Sequence, residues 1–207
     1  MLPALTPVCW LTDFYSVYIR PFCNIYFLYV LWKGCFMQTY KKYILSYIIV
    51  CILGVLLHFT YDWSGSNPIV GFFSAINEST WEHLKLIFFP MLILTIFQAP
   101  KSSKKDTNWL CSRTLGMLSG MGFIVVSFYT LWGITGRLMD VINIALYFIG
   151  VLVAFFVQEK ASKKVLSLGA STCIAIWIGL TILFVIFTVH APNLGLFYDL
   201  QLHPKSI

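Results

Sequence analysis

Five long apolar runs separated by short polar stretches set the pattern of this chain, at about 43–61, 79–98, 114–132, 139–157 and 165–189. Within each run the apolar residues are continuous. They lack the alternation of a half-buried strand and the one-sided stripe of a surface helix. Each run is about 19 to 25 residues long, enough for an α-helix to cross a hydrocarbon core of about 30 Å. The pattern therefore predicts an all-α fold, a polytopic transmembrane bundle of about five spans. A β-barrel would alternate over roughly ten-residue segments, and these runs do not.

Punctuation between the runs supports the same segmentation. Asp62-Trp63-Ser64-Gly65-Ser66-Asn67-Pro68 is a turn by composition. Ser79 and Glu82 have the spacing of a capping box that opens the second helix. Pro90 inside that helix is tolerable in a membrane span. Gly116 and Gly120 form a GxxxG pair, which lets two helices approach closely. Trp63, Trp81 and Trp132 lie near predicted helix ends on one side and read as an aromatic belt.

Residues 1–36 break the pattern. They are apolar and aromatic, but Arg20-Pro21 interrupts them and Asp13 and Lys33 flank them. They lack the basic start and small-residue cleavage site of a signal peptide. Met37 opens a more regular beginning, so 1–36 reads as an N-terminal extension and 37–207 as a single membrane domain. The alternative for the extension is a further helix at about 14–32.

Composition narrows the class. Of the 207 residues, 59% are hydrophobic and 11% charged, against about 25% charged in soluble domains. A soluble fold of this size could not hide so much apolar surface, whereas a bilayer solvates it. The lipid bilayer is thus the first partner. The net charge of +6 comes largely from Lys and Arg between the runs; no nucleic-acid-reading motif accompanies it, so nucleic acid is not an expected partner. The six cysteines show no CxxC pair and no regular spacing, and read as small buried hydrophobes.

The basic residues also predict orientation. Lys41 and Lys42, then Lys101, Lys104, Lys105 and Arg113, then Lys160, Lys163 and Lys164 all fall on one side of a five-span chain. The positive-inside rule makes that side cytoplasmic, so the membrane domain begins inside and its C-terminus is extracytoplasmic. The expected location is a cell membrane.

All four histidines and five of the eight acidic residues then face outward. Ionisable groups in a span are costly and ask for a function. By the 1.5 Å rise per residue, His58 near the end of the first span and His83 near the start of the second lie at similar depth. Glu78, Glu82 and Lys85 fall close by, and Asp140, Asn143 and Tyr147 share a face at the start of the fourth span. The candidate ligand-binding residues are His58, Asp62, Asn77, Glu78, Glu82, His83, Lys85, Asp140 and His190. His58, Glu78, Glu82 and His83 are of the types that hold a divalent metal. Three uses fit: binding or moving a small polar ligand or ion, a metal-dependent membrane enzyme at the outer leaflet, or an accessory subunit whose polar groups only pack helices. Five spans are few for a solitary carrier, which points to a homo-oligomer for the first use. Capping and dipole neutralisation compete as explanations for Glu78 and Glu82. No GxSxG, HExxH, Walker A or GxGxxG is present.

The stretch LHFTYDWSGSNPIVGFFSAINESTWEHLKLIFFP, Leu57 to Pro90, resembles the signature of an uncharacterised family of small bacterial multi-spanning membrane proteins. His190-Ala-Pro-Asn-Leu-Gly-Leu-Phe-Tyr-Asp199 is similar to that family's closing segment. The resemblance covers about 37–200 and implies a bundle of about five spans beginning just before the first, with 1–36 as a departure. It implies no activity. A partial likeness to the ceramidase superfamily of membrane hydrolases rests on Ser79-x-x-x-His83. Its seven spans and late His-x-x-x-His are absent here.

Overall fold

The computed structural model describes residues 43–99, 105–136, 140–164, 166 and 168–199, with backbone only at the edges of some helices. The extension 1–36, Met37, the loop lysines 101 and 104, Arg137 and the tail beyond Asp199 lie outside these residues. The chain divides into two compact units, Met1–Leu45 and Ser46–Ile207. Of the first, only Tyr43–Leu45 are described, as the opening of a helix; the bundle and its site belong to the second.

Every long element among the described residues is a helix, and no strand occurs among them. Helix α1 spans Tyr43–Trp63, α2 is the short Pro68–Gly71, and α3 spans Thr80–Gln98. Helix α4 runs Lys105–Thr135, α5 Asp140–Ser162 and α6 Ala170–Val189. A 3-10 turn at Gly195–Phe197 comes after α6. All but α2 of the α-helices are long and apolar enough to cross a membrane. The fold is the all-α membrane bundle that the apolar runs predict.

Helix α3 is the centre of the bundle: 72% of its apolar window is buried, against 17–33% for the other four. Phe88 and Phe89 project from it onto α6, with ring centroids 5.0 and 5.8 Å from Phe184, and Phe88 lies 5.3 Å from Trp177. The outer helices turn residues such as Ile48, Ile52, Val126, Ile178 and Ile182 outward, where lipid solvates them at no cost. Pro90 sits inside α3 without ending it.

The GxxxG pair works as its spacing predicts. A Cβ on Gly116 would strike the Ala154 carbonyl, and one on Gly120 would lie 2.7 Å from the Gly150 carbonyl. Helices α4 and α5 therefore meet almost backbone to backbone. At the Gln98 end of α3, Arg113 donates to Gln98 at 2.5 Å and Gln98 donates to Ser46 at 3.0 Å, tying α4, α3 and α1 together. Asn108 ties α4 to the loop after α5, donating to the Ser162 carbonyl and accepting from the Leu166 amide.

Trp63 is 66% exposed, but the aromatic-belt reading fails for Trp81. Trp81 is buried among Phe184, Phe187 and Phe197, at centroid distances of 4.7–5.4 Å. It fails because the chain after α6 folds back over the end of α3. Tyr129 anchors that return by donating to the Gly195 carbonyl at 3.0 Å.

Lys85, on α3, is fully buried. Its ammonium donates to Glu82 and Thr188 at 2.6 Å, to the Gly71 carbonyl at 2.8 Å and to the Ser74 carbonyl at 3.3 Å. One cation thus joins α3, α6 and the loop that follows α2. Breaking a buried ion pair on one side leaves the other charge stranded, at about 3–5 kcal/mol. Lys85→Met is expected to lower stability by that order in equilibrium unfolding in detergent. The Lys85→Met/Glu82→Leu double variant is expected to recover part of it, the remainder being the Gly71 and Ser74 carbonyls and the Ile76 amide left without partners; equal losses in both would show that the pair is not the source.

Candidate functional site

The loop between α2 and α3 builds the site. Asn67 opens α2 by accepting the Ile69 amide at 2.9 Å, with Pro68 at the first helical position. Ser74 then pins the loop to the end of α1, bonding to Thr60, to the Tyr61 amide and closely to the Leu57 carbonyl. Asn77 accepts the Ser79 amide at 3.0 Å, and Ser79 accepts the Glu82 amide at 3.3 Å as the N-cap of α3. Half of the expected capping box is present. The Glu82 carboxylate does not return to Ser79, because Asn77 already serves that amide. It turns inward instead, accepting from the Ile76 amide at 3.1 Å and from Lys85.

Glu78 precedes the helix and so escapes the inward turn. Its carboxylate lies between two imidazoles. His83 Nε2 is 3.3 Å from one oxygen and His58 Nε2 is 3.9 Å from the other. The two rings lie 5.3 Å apart, centroid to centroid. This is the side-by-side placement that their depths along α1 and α3 predict. One ligand atom from each of His58, Glu78 and His83 can be chosen so that all lie within 4.8 Å of one another. Ligands about 2.0–2.2 Å from a tetrahedral ion sit about 3.3–3.6 Å apart, so a small inward movement would close the set around a cation.

The protonation pattern is partly fixed. His83 Nδ1 is 2.9 Å from the Ser79 carbonyl oxygen, which can only accept, so Nδ1 carries the hydrogen. His83 Nε2 then faces a carboxylate, and that contact is favourable only with a proton or a cation between them. A backbone carbonyl holding Nδ1–H while Nε2 points into the site is the outer-shell arrangement of metal-binding histidines. His58 Nδ1 is buried and has no hydrogen-bond partner among the described residues.

The cluster lies at the mouth of a cavity of about 400 Å³ between α1, α3, α4 and α5. Gly54, Leu86, Ile124 and Leu146 line its apolar part, and Thr80, Asn143 and Tyr147 add polar groups. Tyr147 closes the base, donating to the Val50 carbonyl at 3.0 Å. Gly54 makes room for it: a Cβ there would overlap the Tyr147 hydroxyl.

The remaining candidates lie elsewhere. Glu82 and Lys85 are paired in the interior, facing Thr188 rather than the imidazoles. Asp62 is exposed in the last turn of α1, and Asn77 is occupied in its turn. Asp140 begins α5, and its side chain lies outside the described residues. His190 closes α6, exposed, its amide bonded to the Ile186 carbonyl. Sequence reasoning missed Gly54, Thr80 and Ile124 as walls of the cavity, since no local signal distinguishes them from other span residues. It also missed Asp199 as a partner of the site, whose carboxylate accepts the Glu78 amide at 3.4 Å.

Fold and site together define a helical membrane protein with a carboxylate held between two histidines over an intramembrane cavity. Residues 32–203 match the family of unknown function DUF6512, and the chain belongs to that family. No curated protein and no solved structure matches it.

Glu78 lies just outside the spans. The hydrogen bond from His83 holds its carboxyl below the usual carboxylate range, against burial, which pushes the other way; the charges of His83 and His58 add to the lowering. A carboxyl depressed on folding contributes stability that is complete above its unfolded pKa, about 4.3, and lost as pH falls through the lower folded value. In EDTA-treated protein, the stability difference between wild type and Glu78→Gln is therefore expected to shrink as pH falls below about 4.3, and to shrink again at alkaline pH, where His83 gives up the proton it shares with Glu78. Unfolding curves that stay parallel down to pH 3 would remove this role for Glu78.

Proposed function

We propose that this protein binds a divalent metal ion through His58, Glu78 and His83 and works as a metal-dependent membrane enzyme of hydrolase type. The observation that carries the reading is the convergence of two imidazoles on one carboxylate, with His83 already oriented by the Ser79 carbonyl. Two histidines and a carboxylate suit Zn²⁺, and a set of three protein ligands, one short of the four of a structural site, is the pattern of a catalytic site. An ion so held polarises a carbonyl or phosphoryl oxygen and makes bound water nucleophilic near neutral pH.

A carrier is the weaker reading. Moving an ion or polar ligand across the bilayer needs a polar route, and Ile87, Phe88 and Met91, one to two turns along α3 from His83, are fully buried apolar side chains. The arrangement of Lys and Arg in the sequence supports an extracytoplasmic site in a cell membrane.

Purified protein loaded with Zn²⁺ and dialysed is expected to retain about one ion per chain, by elemental analysis. His58→Ala, Glu78→Ala and His83→Ala should each weaken binding by at least about tenfold. His190→Ala, which lies off the cluster, should leave it unchanged. Wild-type protein that keeps no more zinc than His83→Ala would reduce the cluster to a His83–Glu78 ion pair that pins the loop to the first turns of α3.

A further inference from the structure

The cavity beneath the His58–Glu78–His83 cluster has two properties that say what enters it. The first is its gradient. His58, Glu78 and Asn143 lie at the mouth, and about one helical turn deeper, near 6 Å, the wall is Gly54 on α1 and Leu146 and Tyr147 on α5, with Leu86 and Ile124 opposite. A polar solute would leave that apolar wall unused, and a plain hydrocarbon would leave the ionisable mouth unused. A molecule with a polar head and an apolar chain uses both.

The second property is where the cavity opens. Val55 and Phe59 on α1 and Ile144 on α5 belong to its lining, yet they are 41%, 44% and 58% exposed. Val55 lies inside α1, Phe59 about one turn before its end and Ile144 about one turn after the start of α5, all within the apolar runs, so the surface they expose meets lipid rather than water. The lining is thus continuous with the lipid-facing surface between α1 and α5. A volume of about 400 Å³ falls within the usual range for small-molecule sites.

We infer that the site takes a membrane-dissolved amphiphile, which enters sideways between α1 and α5, places a carbonyl- or phosphoryl-bearing head at His58, Glu78 and His83, and lays the first part of its hydrocarbon chain against Ile124 and Leu146. The position of the head rests on the proposed metal site; the chain and its lateral route do not.

An alkyl hydroxamate with a diazirine in its chain tests this, because hydroxamate is a head that chelates zinc. The full chain is placed in phosphatidylcholine nanodiscs, irradiated with the probe and mapped by peptide mass spectrometry. Label is expected on the segments holding Ile124 and Leu146, well above that on the lipid-facing α6 residues Ile178 and Ile182. Dodecyl hydroxamate should compete at a concentration at least about tenfold lower than acetohydroxamate. Val55→Trp/Ile144→Trp enlarges two lipid-exposed side chains without burying them, and should cut cavity labelling about tenfold while zinc content stays at the wild-type level. Zinc retained with label no denser in the cavity than on α6, or with both hydroxamates competing equally, overturns the amphiphile. Cavity labelling with chain-length dependence but no zinc overturns the metal and keeps the amphiphile.

Discussion

A fully buried ammonium group has to be satisfied on every side, and the end of this bundle that carries the loop between α2 and α3 is arranged around that need. Lys85 reaches two loop carbonyls, a threonine on α6 and the carboxylate one turn before it on its own helix. Each acceptor fixes a different piece of chain. The carbonyls of Gly71 and Ser74 hold the loop down onto α3, Thr188 holds α6 against the same face, and Glu82 is drawn inward and away from the helix cap. With the loop held there, the residue that comes next in space over His83 is Glu78. The cluster at the cavity mouth is thus a downstream result of satisfying one cation in an apolar interior, where an unpaired charge would cost several kcal/mol.

Two acids four residues apart end in opposite environments for a backbone reason. Glu78 and Glu82 look like neighbours on one helical face, and they would be if the helix began before Glu78. It begins at Thr80, with Ser79 as its cap. Glu78 is therefore in the bend before the helix and free to point at the imidazoles, while Glu82 is in the first turn and points into the protein. Neither carboxylate serves the cap, because Asn77 takes the Ser79 amide itself.

The sequence is most informative where the physics is local or one-dimensional. Continuous apolar runs specify helices that a bilayer solvates, and the five long helices result from that alone. Equal depths along two consecutive spans place His58 beside His83, and the spacing of Gly116 and Gly120 anticipates a close helix pair. What cannot be read is which way a side chain turns once several directions are open. Lys85 looks equally suited to an anion in a pocket or to a buried pair, and only the return of the Gly71–Ser74 loop decides. Trp81 reads as interfacial because nothing local announces that Phe197, more than a hundred residues later, will fold onto it. The walls of the cavity are ordinary span residues, made special by what faces them from three other helices.

The length of α4 has a consequence for the whole molecule. At 31 residues it measures about 46 Å, against a hydrocarbon thickness of about 30 Å. The apolar stretch within it, Thr107–Thr135, is still longer than that core, an excess that a lean accommodates. Because glycines lock α4 to α5 almost backbone to backbone, that lean cannot be taken up by one helix sliding past its neighbour. A lean of one helix is therefore shared by the other, and the two together form one side of the cavity.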